Sequence, residues 1–282
     1  MKLIQKVSEM HSWSTAQKIL GKKIGFVPTM GALHEGHLSL AERSQKENDF
    51  TVLSIFVNPK QFLPGEDFEK YPRPLEKDLE LCKKQGIDIV FNPSVGEIYS
   101  EKETIFIEPG RIGEILEGKT RPGHFRGVCT VVAKLFNLVQ PSKAYFGLKD
   151  FQQLRIIEKM AEDLNFDTKI VKCETVREKD GLAMSSRNVY LNTDERKQAS
   201  VLYKSLQEAK KLSEKEKNSE KIKAQILGQI SGQSLAKTDY VEIVNAKTLE
   251  KVGKISGNEV ICLAVWFGKT RLIDNLQLGK TQ

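Results

Sequence analysis

The chain has 282 residues, of which 39% are hydrophobic and 29% charged; counted with Gly and without Tyr it is about 44% apolar, near the ~45–50% of globular chains. Global disorder is excluded, and the longest unbroken apolar run, the eight residues Val260 to Phe267, falls well short of the ~20 that a membrane-spanning helix needs. The 44 basic and 37 acidic residues give a net charge of +7, which suits an anionic substrate, a nucleic acid or a solvated lysine-rich surface and selects none of them.

Met1 to Trp13 begins with a lysine nearby but never gathers the apolar stretch of a signal peptide, because Gln5, Lys6, Ser8 and Glu9 interrupt it. The expectation is a cytoplasmic protein without a membrane partner. Cys82, Cys129, Cys173 and Cys262 include no Cys-x-x-Cys pair and sit among apolar neighbours, so they read as small buried hydrophobes, not as a zinc site or a disulfide framework. The densest charge run, Ser213 to Lys223, mixes both signs. That is the pattern of a solvated helical face and not of a phosphate track, so no nucleic-acid partner is expected.

In chain order, Lys23 to Pro28 reads as a short buried strand, and His37 to Glu47 as a helix of about three turns. Phe50 to Val57 is nearly continuous hydrophobe, β-branched and aromatic, closed by Asn58-Pro59, the signature of a strand buried on both faces. Leu75 to Gln85 is an amphipathic helix and Ile87 to Phe91 a strand. Arg126 to Leu138 is helical with Pro141 beyond it; Lys143 to Phe146 is a strand, Phe151 to Leu164 a helix and Thr168 to Cys173 a strand. Repeated strand-helix units predict an α/β fold, a Rossmann-like doubly wound parallel sheet with helices on both faces.

The texture changes near residue 176. Thr193 to Lys211 reads as one helix capped by Asn192 or Thr193, and Glu220 to Ile230 as another. Tyr240 to Val244, Val260 to Phe267 and Arg271 to Asp274 read as consecutive strands. The expected organisation is a nucleotide- and substrate-binding domain over 1–175 and a smaller α+β lid domain over 176–282.

The stretch Phe26 to Leu40, FVPTMGALHEGHLSL, carries the clearest chemistry. A buried strand ends at Pro28, Gly31 supplies a turn, and His34-Glu35-Gly36-His37 opens a helix. Residues three apart share a helix face, so both imidazoles can point at one ligand. A helix start at the carboxyl end of a parallel strand also presents unpaired N–H groups and a positive dipole end, suited to phosphate. Two histidines at this spacing also occur as metal ligands or by chance on a surface; here half of the four histidines fall in one four-residue window with no third Cys or His nearby.

His34-Glu35-Gly36-His37 resembles the HxGH signature of the nucleotidyltransferase superfamily, which includes class I aminoacyl-tRNA synthetases. The longer string Pro28-Thr29-Met30-Gly31 with the two histidines is similar to the pantothenate synthetase family in particular. Ser54 to Phe62, Tyr71 to Arg73, Arg121 to Gly127, Tyr145 to Gln153 and Thr175 to Asn188 match that family in the same order. The likeness is strong over residues 24–190 and loose beyond.

The resemblance implies an ATP-dependent condensation of pantoate with β-alanine through an enzyme-bound pantoyl adenylate, with ATP as substrate, Mg2+ as its companion and a homodimer as the assembly. It implies catalytic roles for His34, His37, Lys149 and Arg187. The ATP site would comprise Met30, Gly31, Ala32, Leu33, His34, Glu35, Gly36 and His37, then Gly147, Leu148, Lys149 and Asp150, the backbone of Val176, and the Met184-Ser185-Ser186-Arg187 loop, which looks like the family's form of the KMSKS loop. Gln61 and Gln153 would bind pantoate, with Pro28 and Met30 as an apolar wall and Asn58 assisting. Leu148 departs from the family, where Glu is common.

No protein ligand for Mg2+ is identified; Asp78 is the nearest suggestion, although an acid midway along an amphipathic helix is usually solvated. His124 is expected to be structural or to line a substrate channel. The apolar pairs Val128 to Val132 and Leu135 to Val139 offer surface for an interface. The closest rival is another HxGH nucleotidyltransferase acting on a phosphorylated substrate, which would need extra cations near Gln61, and the Asn58-Pro59-Lys60-Gln61-Phe62 segment offers only Lys60.

Overall fold

The computed structural model describes residues 1–279. Its polypeptide forms two compact units, one of residues 1–148 with 153–174 and one of residues 149–152 with the described residues from 175 onward.

The first unit runs β1 (Lys2–Ile4), α1 (Val7–Ile19), β2 (Ile24–Thr29), α2 (Glu35–Glu47), β3 (Phe50–Ile55), α3 (Leu75–Gln85), β4 (Ile89–Phe91), two single-turn helices α4 (Val95–Ile98) and α5 (Glu117–Thr120), then α6 (His124–Val139), β5 (Lys143–Gly147), α7 (Phe151–Asp163) and β6 (Lys169–Cys173). Six parallel strands stand in the order β1-β4-β3-β2-β5-β6. The chain winds one way from β2 to β3 and β4, and the other way through β5 to β6, so the sheet has its switch point between β2 and β5. In such sheets ligands bind outside the carboxyl ends of the strands at that point.

Val27, Leu53, Val90 and Tyr145 on the strands pack with Leu40, Ala41 and Cys82 on the helices, which is why the central strands read as unbroken hydrophobe. Pro28 is tolerated in the central strand because the described pairing of β2 with β5 covers Gly25 and Phe26 only. Its missing N–H costs no ladder bond on that flank, and the two strands part toward their carboxyl ends.

The second unit carries α8 (Thr193–Ala199), α9 (Val201–Ser213), α10 (Ser219–Ser231) and the antiparallel sheet β7 (Ala236–Asn245), β8 (Glu259–Phe267), β9 (Thr270–Gln277). Leu202, Leu206, Ile222 and Ile226 of its helices pack on Ile243, Ile261, Leu263 and Val265 of its strands. The single helix expected over Thr193 to Lys211 is two, parted at Ser200, whose hydroxyl bonds to the Lys197 carbonyl at 3.0 Å. No Gly or Pro marks the break.

Two further expectations are corrected. Val128, Val131, Val132, Leu135, Phe136 and Val139 do not offer a surface: they are buried in the chain's own core by the long apolar face of α6. Asp78 is not solvated but 1% exposed. All four cysteines are buried and none is in a disulfide. Among the described residues no helix is long and apolar enough to cross a membrane.

Candidate active site

Thr29 closes β2 and organises the turn beyond it. Its hydroxyl donates to the Ser54 carbonyl at 2.7 Å and accepts from the Gly31 N–H at 3.1 Å. Gly31 and Ala32 take left-handed φ values of 80° and 50°, and for Ala32 that conformation is costly. Asp78 holds it in place: its two carboxylate oxygens accept the Ala32 and Leu33 N–H groups, each at 2.8 Å. Burial pushes the Asp78 pKa up while these two N–H donors pull it back. A buried carboxyl is thereby spent on aiming the turn that leads into α2.

His34 is the N-cap of α2, and the two histidines cap the helix reciprocally. His34 Nδ1 accepts from the Gly36 N–H at 3.1 Å, and His37 Nδ1 from the His34 N–H at 3.4 Å. The ring centroids lie 4.0 Å apart. A ring nitrogen that accepts is unprotonated, so each neutral imidazole carries its proton on Nε2. In this tautomer the N–H donor of each ring is at Nε2, and both rings start from one helix turn. Glu35 is exposed, and Gly36 is half-buried.

A second group assembles beyond β3. Asn58 caps the single 3-10 turn Pro59–Gln61 by accepting from the Lys60 N–H. Its Nδ2 meets Gln61 Oε1 at 3.0 Å and the Gly127 carbonyl at 3.1 Å, and Gln61 Nε2 lies 3.0 Å from Met30 Sδ. Gly127 permits this approach of α6, because a Cβ there would lie 2.1 Å from the Lys60 carbonyl oxygen. The Gln61 carbonyl in turn faces His124 Nδ1 at 2.7 Å and Arg121 Nη2 at 3.3 Å, while Arg121 forks onto Glu66 at 2.6 and 2.7 Å. Burial, helped by the Arg121 guanidinium, pushes the His124 pKa down to about 4. The ring is neutral, donating through Nδ1 and accepting from Arg121 through Nε2. Gln153, on the first turn of α7, is half-buried.

Gly147 ends β5 and Leu148 is buried, which suits its apolar side chain. Lys149 and Asp150 follow in the second unit, their charged groups 3.4 Å apart, and the Lys149 carbonyl accepts from Asn275 Nδ2 at 2.9 Å.

The 176–187 segment of that unit is a tied-down hairpin. Glu178 N–H donates to the Leu182 carbonyl and Met184 N–H to the Val176 carbonyl. Arg177 forks onto Asp274 and reaches the Gly181 carbonyl, its guanidinium lying over the Tyr203 ring. Arg196 binds both Glu178 and Asp180. At its end, Ser185 Oγ accepts from the Arg187 N–H at 3.3 Å, and Ser186 opens the 3-10 turn Ser186–Tyr190.

Sequence reasoning missed Tyr99, Arg177, Arg196 and Asp274. Arg177 and Arg196 flank the recognised motif, but their partners are fixed only by the fold. The structure brings together His34 with His37, Met30 and Asn58 with Gln61, and Val176 with Met184.

The family model described as Pantoate-beta-alanine ligase matches residues 2–277. The chain belongs to that family. It is 54% identical to the pantothenate synthetase of Acetivibrio thermocellus over 277 residues, covering 98% of this chain and 99% of that one. It is 52% identical to that of Thermotoga neapolitana over 280 residues, with 99% and 100% covered. Among solved structures, pantothenate synthetase from Thermus thermophilus superposes with a TM-score of 0.93 at 41% identity over 99% of this chain and 100% of that one. The pantoate-β-alanine ligase of Francisella tularensis, complexed with β,γ-ATP and β-alanine, gives 0.82 at 37% identity, with 100% and 99% covered.

Proposed function

We infer that this chain is an ATP-dependent ligase that joins pantoate to β-alanine. The pantoate carboxylate attacks the α-phosphorus of ATP, pyrophosphate leaves, and the β-alanine amine then displaces AMP from the pantoyl adenylate. The observation that carries the reading is the reciprocal cap that sets both imidazoles on the first turn of α2 at the carboxyl end of β2, beside the sheet's switch point, in a chain that matches the ligase family over 2–277.

Attack on the α-phosphate gathers charge on oxygens that are already anionic, so donors and cations serve better than a protein nucleophile. His34 and His37 supply donors at the α-phosphate. Lys149 and Arg187 take the remaining phosphates and the departing pyrophosphate, with Ser185, Ser186 and the backbone at Met184 completing the phosphate clamp. Met30 to Gly36, Gly147, Leu148 and Val176 offer backbone to the nucleotide, and Asp150 its ribose contact. Gln61 and Gln153 hold pantoate, with Pro28 and Met30 against its methyl groups and Asn58 behind Gln61. The amide-forming step asks mainly for the amine to be held near the acyl carbon.

Mg2+ is proposed to travel with the triphosphate, since it usually keeps water and phosphate ligands and few from protein. Among the described residues no three His, Cys, Asp or Glu side chains are arranged to hold a metal, and both Asp78 oxygens already serve the backbone. The resemblance further supports a lid role for residues 176–282, a homodimer and a cytoplasmic location.

The rival HxGH reading is disfavoured because both cations beside Gln61 are engaged: Lys60 pairs with Glu103 and lies over the rings of Tyr99 and Phe106, and Arg121 forks onto Glu66. The test is exchange of labelled pyrophosphate into ATP. It is expected with pantoate alone, and a strict need for β-alanine would refute the adenylate route.

A further inference from the structure

We propose that Asn58 is a positioning residue that locks Gln61 with its amide NH2 turned to the substrate, so that the substrate atom met there is a hydrogen-bond acceptor. This rests on the reading of Gln61 as a pantoate ligand and says which half of its amide does the binding.

Two backbone groups decide how the Asn58 amide is turned. The Lys60 N–H, a donor only, lies 3.2 Å from Oδ1, and the Gly127 carbonyl, an acceptor only, lies 3.1 Å from Nδ2. The opposite orientation would set donor against donor and acceptor against acceptor. Tyr99 hydroxyl, 2.7 Å from the same Oδ1, must therefore donate. Burial pushes that phenol's pKa up, so it keeps its proton. Asn58 is 1% exposed, and both its lone pairs and both its N–H groups are taken by the protein.

The second Nδ2 hydrogen points to Gln61 at 3.0 Å, so the atom receiving it is Oε1. Gln61 Nε2 is then left facing Met30 Sδ at 3.0 Å, and a thioether is a weak acceptor that a carboxylate or hydroxyl oxygen replaces readily. The main chain of Gln61 is occupied as well, by His124 and Arg121. The NH2 group keeps donor capacity that a thioether barely uses, while Oε1 retains one lone pair beside the Asn58 bond; pantoate offers acceptors for the NH2 at its carboxylate and hydroxyl oxygens.

Gln61→Glu keeps an oxygen toward Asn58 and replaces the NH2 by a second oxygen. At pH 8 it is expected to raise the KM for pantoate by roughly 10- to 100-fold, the worth of a hydrogen bond to a charged group, with the KM for ATP within about 2-fold. Tyr99→Phe removes only the hydroxyl and is expected to raise the pantoate KM roughly 3- to 10-fold, leaving that for ATP unchanged.

A pantoate KM near the wild-type value in Gln61→Glu would overturn the inference. So would a rise in both KM values together in Tyr99→Phe, which decides the matter if Gln61→Glu does not fold. A wild-type chain that forms no AMP from pantoate, β-alanine and ATP together would remove the ligase reading and this inference with it, whereas an active wild type beside an unaffected Gln61→Glu removes the inference alone.

Discussion

Arg177 and Asp274 form a two-pronged ion pair, Nη1 to Oδ2 at 2.6 Å and Nη2 to Oδ1 at 2.9 Å, with the Asp274 side chain 1% exposed. The pair ties the hairpin that carries Met184 to Arg187 onto β9. Removing one member of a buried pair strands the other charge, at a cost of about 3–5 kcal/mol. Asp274→Ala is accordingly expected to lose that much stability in urea unfolding, and Arg177→Lys, which cannot fork, part of it.

The Nδ1 bonds of the two histidines give a chemical prediction. His37→Ala and Lys149→Ala are each expected to slow pyrophosphate exchange by roughly 100-fold or more, the usual cost of deleting a transition-state donor. If His37 acts by donating from Nε2, His37→Gln, whose amide reaches that position, retains about tenfold more exchange than His37→Ala, whereas a proton-accepting role predicts no rescue.

The packing of α6 on the Asn58–Gln61 turn predicts a contrast between two glycines. Gly127→Ala places its Cβ 2.1 Å from the Lys60 carbonyl oxygen and 2.8 Å from the Gln61 nitrogen, both backbone atoms that cannot swing aside. A loss above about 3 kcal/mol is expected. Gly96, inside α4, has nothing within 4 Å of an added Cβ, so Gly96→Ala is expected to be neutral or to stabilise by up to about 1 kcal/mol. Chemical denaturation of both variants measures the difference.

His124 makes stability depend on pH in a defined window. Its pKa is lowered to about 4 in the folded chain against about 6.5 when unfolded, so the unfolded chain binds the proton first as pH falls. Stability is complete above about pH 6.5 and declines toward pH 4, by about 3 kcal/mol in all. His124→Asn keeps a donor for the Gln61 carbonyl and is expected to flatten that part of the unfolding curve.

The sequence announces this architecture best where one physical pattern dominates. β3 was legible because a strand buried on both faces is continuous hydrophobe, and α3 because its apolar stripe ends at Gly86, which takes φ 77°. β1 and α1 were not, since β1 has three residues and α1 fully buries only Met10 and Ser14, leaving little periodicity to read. Of the candidate site, His34 and His37 announce themselves by spacing. The groups that aim them do not: Asp78 lies 45 residues from Leu33 along the chain and Tyr99 lies 41 from Asn58, and no local pattern encodes such distant pairings.

The buried thiols give the molecule built-in reporters of its own opening. Burial raises Cys82 to about 11 and Cys129 to about 12, so neither offers thiolate to an alkylating reagent while its surroundings stay closed. Labelling measured cysteine by cysteine then times the breathing of α3 through Cys82, of α6 through Cys129 and of β8 through Cys262, without introducing a single foreign probe.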